Sequence, residues 1–190
     1  MKIKDMNYDF KSMSTIGDGS CLIHAVLQAF SNEYNKLNNP FSKSLLAREV
    51  RFHLSEILEL PVEDFSSKRS EVKNVYQELS RGELEKISKE VPDASLENMK
   101  NQLNSFNFLT FHYVELLSEI FDINIIFISQ KERDFYYSGD SELLIKKNRD
   151  SIFVNYIDQA HYETIKVNGK TLFGYDEIII KDCLKKIRKD

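Results

Sequence analysis

The sequence predicts an α+β fold, with helices in its first half followed by a small central mixed or antiparallel sheet that the helices flank. Three observations carry that expectation. Apolar residues recur at helical spacing up to about residue 121. Beyond it the pattern changes to short β-branched and aromatic runs. All three prolines, Pro40, Pro61 and Pro92, fall in the first half, where they mark breaks between helices. A chain of 190 residues that is 42% hydrophobic suits one globular domain around one sizeable core, expected to span 1–190.

Each element follows from its local pattern. After Ser20, the residues Leu22, Ala25, Val26, Ala29 and Phe30 share one helical face, which places Cys21 in the first turn. A longer helix after Pro40 turns Leu46, Val50, Leu54, Ile57 and Leu58 inward. From Ser70 to Leu103 charge dominates and periodicity weakens. The segment 66–104 therefore reads as a mobile, solvated, charged helical arm, with one short helix through Leu84, Ile87 and Val91. Leu109, Tyr113, Leu116, Leu117, Ile120 and Phe121 then make a strong amphipathic helix. The period switches at Asn124–Ser129, a buried strand. Phe135–Tyr137 and Glu142–Ile145 read as edge strands about a turn at Gly139-Asp140. Ser151–Ile157 and Tyr162–Val167 read as strands, the second leading into an Asn168-Gly169 turn. The tail, 175–190, reads as a closing helix over Tyr175–Lys189, although Ile178-Ile179-Ile180 suits a strand equally.

Charge and cysteine usage narrow the function. A net charge of −4 has the wrong sign for a nucleic-acid footprint over the whole chain. The one basic cluster, Lys185-Lys186-Ile187-Arg188-Lys189, reads as cations closing a helix C-terminus. No apolar run approaches the ~20 residues that cross a bilayer, and Met1-Lys2-Ile3-Lys4-Asp5 lacks the apolar core of a secretory signal. The expectation is a soluble cytosolic, or nuclear, monomer without metal or cofactor. Two cysteines, Cys21 and Cys183, are too few for a disulfide framework or a structural zinc site. Cys183 shares the apolar side of the tail helix with Ile179 and Ile187, which suits an inert thiol.

The segment Gly17-Asp18-Gly19-Ser20-Cys21-Leu22-Ile23-His24-Ala25 concentrates the candidate chemistry. Two glycines with Asp between them and Ser after them make a tight turn, and a helix starts directly after it. A cysteine at that junction meets outward-pointing N–H groups and the positive end of the helix dipole. Both stabilise a thiolate, and the same donors can hold the oxyanion of a tetrahedral intermediate. A buried core cysteine fits the position as well. A nucleophile needs a base, and four histidines are available. His24 lies on the same helix as Cys21, whereas a base generally comes from another element. His53 and His112 read as surface or packing residues on helices. His161 opens a strand after the connection Asp158-Gln159-Ala160, and Glu163, two residues on, shares its face and is placed to orient the imidazole.

The run Asp18-Gly19-Ser20-Cys21-Leu22-Ile23-His24-Ala25 resembles the nucleophile motif of the ovarian tumour (OTU) family of cysteine proteases, and His161-Tyr162 resembles its His-Tyr motif. The helix from Leu109 to Leu117 and the strand after it resemble the family's middle block, so the likeness covers roughly Thr15–Val167. It implies a papain-like OTU fold and a deubiquitinase acting on ubiquitin or polyubiquitin chains. Cys21 would then be the nucleophile and His161 the general base and acid. Asp18 would shape the catalytic loop and its oxyanion hole. Glu163 stands where the family has Asp or Asn, so the group that orients His161 is open between Glu163, Asp18 and Asn155. Ile23, where an aromatic residue is usual, is a packing change. The charged arm is the candidate contact for the distal ubiquitin. Two other readings share these residues: a non-catalytic OTU-like module that binds ubiquitin, and a thiol hydrolase of another ubiquitin-like modifier. The compact layout also suits an excised catalytic domain or a small viral or bacterial effector working in the host cytosol.

Overall fold

The computed structural model describes residues 3, 6–62, 73–129, 134–136, 145–158 and 160–187. The chain begins with strand β1 (Phe10–Met13), then helices α1 (Cys21–Phe30), α2 (Asn32–Lys36) and α3 (Pro40–Ile57). A short pair, β2 (Pro61–Val62) and β3 (Lys73–Asn74), leads into α4 (Val75–Glu78), α5 (Glu83–Ile87) and α6 (Leu96–Leu103). Helix α7 (His112–Phe121) precedes β4 (Ile123–Ser129), β5 (Asp134–Tyr136), β6 (Asp150–Ile157), β7 (His161–Val167) and β8 (Leu172–Phe173), and α8 (Ile178–Ile187) closes the described chain.

The main sheet runs β1-β7-β6-β4-β5. Only β4 and β6 are parallel; every other pair is antiparallel. β8 pairs with Ser151 and Ile152 at the start of β6, in the lane that β7 occupies from Phe153 onward. The sheet is buried on both faces, which is why β4 reads as an unbroken apolar run and not as an alternation. Ile125 and Phe127 face the core shared with α1, α3, α6 and α7. Ile126 and Ile128 join Phe10, Phe153 and Ile165 under α8, whose Ile180 and Cys183 are fully buried. Burial pushes the Cys183 thiol far up, so it stays protonated and inert.

Local chemistry sets the boundaries. Asn39 caps α3 by accepting from the Ser42 N–H at 2.8 Å, with Pro40 in the first turn. Asn168 and Gly169 both take positive φ, at +49° and +87°, and join Val167 to Lys170 as a tight hairpin turn.

Three expectations change. β1 has no strand signature: only Phe10 of its four residues is buried, and Lys11 and Ser12 face water. It exists because β7 offers it an edge. The charged arm does form small helices, but it is not a loose appendage. Tyr76, Leu79, Leu84, Ala94, Met99 and Leu103 are buried in the same core as α1. The Tyr113 hydroxyl donates to the Met99 carbonyl at 3.1 Å and ties α6 to α7. Of the expected face only Leu84 is buried; Ile87 and Val91 are exposed. Irregularly spaced anchors among many charges hide the packing from a periodicity test. The tail is helical from Ile178, not from Tyr175. Residues 142–144 and the turn at 139–140 lie outside the described residues, and Ile145 is in no strand. Among the described residues no helix is long and apolar enough to cross a membrane.

Candidate active site

Cys21 is the first residue of α1, 2% exposed. The N-cap, Ser20, does not cap: its side chain makes no bond to the first turn, and its hydroxyl accepts instead from Arg51 at 3.3 Å. The first-turn N–H groups are thereby left for the sulfur. Burial pushes the Cys21 thiol above its ordinary value, and the charge of Asp18 adds to that. Hydrogen bonds from the backbone of Tyr162, Leu22 and Cys21 itself oppose it. The resting group is a protonated thiol surrounded by donors that favour its anion.

The loop that carries Cys21 is braced from three directions. Asp18 accepts from the Ser20 N–H at 3.0 Å, from His24 Nε2 at 3.1 Å and from the Ser44 hydroxyl at 2.5 Å. Burial raises its carboxyl, but these three bonds outweigh burial and hold it below the ordinary carboxylate range. His24, fully buried, passes the brace on through Nδ1 to the Tyr34 hydroxyl at 2.8 Å. Asp18 therefore shapes the loop with its side chain and occupies the Ser20 N–H. The N–H groups of Cys21 and Leu22 stay turned to the Cys21 sulfur.

Arg51, on α3, is 1% exposed and hydrogen-bonds no carboxylate among the described residues. All five of its N–H groups find neutral acceptors: the carbonyls of Leu103, Gln102, Asn107 and Gly19, and the Ser20 hydroxyl. It thus nails the nucleophile loop to α6 and to the segment before α7. Gly19 needs to be glycine on two grounds. Its φ is +84°, and a Cβ there would fall 1.8 Å from the Phe106 carbonyl oxygen.

His161 begins β7, half-buried, next to the residue whose backbone bonds the Cys21 sulfur. Tyr162 fixes this position with its ring, stacked between Phe108 (centroids 5.2 Å apart) and Tyr156 (4.7 Å). His161 Nε2 lies 3.2 Å from the Thr15 hydroxyl. Glu163 does not reach the imidazole. Its carboxylate accepts from the Ser12 hydroxyl, which in turn accepts from Asn155 Nδ2 at 3.3 Å. Asn155 and Glu163 are register partners across β6 and β7 and share a face, but their polar atoms meet at Ser12. Neither Asp18, Glu163 nor Asn155 hydrogen-bonds His161. The remaining histidines stand apart: His53 is exposed beside Glu56, and burial pushes His112 below its ordinary value.

Thr15, Arg51 and Ser44 are absent from the sequence-level reading. Polar residues of those types carry no pattern of their own, and only the closure of β1 and α3 onto the loop gives them a role. Among the described residues no group of three or more His, Cys, Asp or Glu side chains could hold a metal ion.

No protein-family model and no curated protein matches the sequence. Solved structures do. An ovarian tumour (OTU) domain in complex with ubiquitin aligns with 98% of this chain and 87% of its own, at a TM-score of 0.55 and 15% identity. An OTU deubiquitinase from Wolbachia pipientis wMel aligns with 83% of this chain and 88% of its own, at 0.48 and 11%. The chain has the OTU-domain fold, a mixed α/β architecture around a curled sheet.

Proposed function

We propose that this chain is an OTU-family cysteine protease and a deubiquitinase, with the span 1–190 acting as one catalytic domain. One observation carries the reading. In an OTU-type fold the first residue of α1, a cysteine, meets the backbone of Tyr162, the residue that follows His161 in the chain. The substrate class follows the ubiquitin complex of the similar structure. His161 takes the proton of Cys21, and the thiolate bonds to the carbonyl carbon of ubiquitin's terminal glycine. The oxyanion faces the first-turn N–H groups of α1. The isopeptide C–N bond breaks, and His161 returns the proton to the departing lysine amine. Water then adds to the thioester and gives His161 a proton. The C–S bond breaks, His161 returns that proton to the Cys21 sulfur, and the carboxylic acid leaves and gives its own proton to solvent. Polyubiquitin chains and other ubiquitin-like modifiers present the same bond. These steps need only this chain's side chains, its first-turn N–H groups and water, and the two unpaired thiols suit a reducing cytosol.

A ubiquitin probe with a C-terminal electrophile tests this: an adduct on wild type and none on Cys21→Ala supports it. The deep burial of the thiol favours a second reading, a ubiquitin-binding module without catalysis. Ubiquitin binding with no adduct and no cleavage across a diubiquitin panel would establish that reading and overturn the first.

A further inference from the structure

We infer that Thr15 is the positioning residue for His161: its hydroxyl oxygen accepts from the imidazole Nε2–H, which leaves Nδ1 bare to serve as the base. The inference rests on the proposed cysteine-protease chemistry for its role, but on geometry alone for its direction.

The direction follows from proton counting. Thr15 Oγ1 lies 2.5 Å from the Tyr162 carbonyl oxygen and 3.2 Å from His161 Nε2. A carbonyl can only accept, so the single hydroxyl proton of Thr15 goes to Tyr162. Towards His161 the Thr15 oxygen is then an acceptor, and Nε2 must carry hydrogen. A neutral imidazole has one N–H, so Nδ1 keeps its lone pair.

The sheet explains why a threonine stands there. Strands β1 and β7 pair with Phe10 opposite Val167 and Met13 opposite Thr164. Continued two residues beyond the last pair, that register sets Thr15 opposite Tyr162. The Thr15 hydroxyl takes over from the backbone ladder where β1 ends. One residue of β7 is thereby held on both sides, its carbonyl by Thr15 and its backbone against the Cys21 sulfur. His161, next to it, inherits that placement. The acidic alternative is occupied elsewhere: the donor chain from Asn155 through Ser12 ends on the Glu163 carboxylate.

Thr15→Val keeps the shape and removes the acceptor, and Thr15→Ser restores it. Losing one neutral hydrogen bond to the base is expected to lower kcat about 10-fold with little change in KM. Thr15→Ser should recover most of it. The structural readout is nitrogen NMR of histidine-labelled protein, with His161 assigned by its loss in His161→Gln. Wild type should show the Nε2–H tautomer with that proton protected from water. Thr15→Val should lose the protection, and Thr15→Ser should regain it. Bare Nε2 in wild type, or unchanged protection and kcat in Thr15→Val, would overturn the inference. So would a loss confined to Glu163→Gln. If wild type neither cleaves nor labels, the protease reading fails by itself, and the NMR result still decides the Thr15 bond.

Discussion

The two ends of the candidate site are built differently. On the side of the candidate nucleophile, Asp18, Gly19 and Ser20 are tied by the buried Arg51, the buried His24 and Ser44, with bonds reaching α3, α6 and the segment before α7. On the base side, the His161 imidazole is half-buried and makes one side-chain bond, to Thr15. The loop of the candidate nucleophile is held by the same contacts that hold the fold together. Among the described residues the candidate base is held by a single side-chain bond, near the edge of a sheet. Damage to the first should therefore appear as lost folding or lost activity altogether, and damage to the second as a graded loss of rate.

The sharpest way to break that contrast is to remove the reacting groups themselves. Cys21→Ala and His161→Ala should each lower kcat by a factor on the order of 10⁶ in a ubiquitin-chain cleavage assay, with circular dichroism and melting unchanged. Equal losses at both ends would show that the chemistry needs the pair, however differently each is held. Robust cleavage by Cys21→Ala would remove the nucleophile from the scheme.

Gly19→Ala probes the rigid end. The new Cβ has no room beside Phe106 and an unfavourable φ, so the loop must move. A displacement near 1 Å is worth ~100-fold in rate, together with a lower melting temperature. Arg51→Met tests the same end through stability. It leaves five acceptors without their donor, of which the Leu103 carbonyl and the Ser20 hydroxyl belong to buried residues, a cost on the order of 2–5 kcal/mol in urea unfolding. If Arg51→Met kept full stability but lost activity, the nucleophile loop would be separable from the fold, and the contrast would fail.

The soft end is read by Glu163→Gln, expected to change kcat less than 3-fold because its carboxylate serves Ser12 and not His161. The smallest effect is on pH. Burial pushes His24 below its usual value against the pull of Asp18, so the unfolded state binds that proton more readily. His24's contribution is present above pH ~6.5 and is lost as pH falls from there toward the lowered folded value. Burial places His112 in the same window. Asp18 is held low by Ser44, His24 and Ser20 against burial, so its contribution, present above ~3.9, is lost only as pH falls further, through its folded value. Urea midpoints at pH 7.5, 6 and 5 should decline, and His24→Gln should flatten the upper part of that decline.

Much of the fold was legible in the residues themselves. α1 and α7 announce themselves by apolar spacing, and β4, β6 and β7 by β-branched runs; in the structure each lies within a few residues of its expected span. Cys21 and His161 were legible as candidates because a Gly-Asp-Gly-Ser turn before a helix and a histidine at a strand start are local patterns. β1 was not legible, since four residues with one buried side chain satisfy no period. The arm's anchors were masked by their charged neighbours.

The sequence by itself determined the secondary structure of the two halves and the positions where reactive groups could stand, because helical and strand periodicity and turn chemistry act over a few residues. Tertiary structure alone decided what holds those groups. Arg51 reaches the nucleophile loop only because α3 packs beside it. Thr15 reaches His161 only because β1 pairs with β7. Glu163, the neighbour that sequence spacing favoured, is drawn to Ser12 on the adjacent strand. Hydrogen bonds select partners by distance in space, and across a sheet that distance is set by register, which for two strands as far apart in the chain as β1 and β7 no connecting turn can fix.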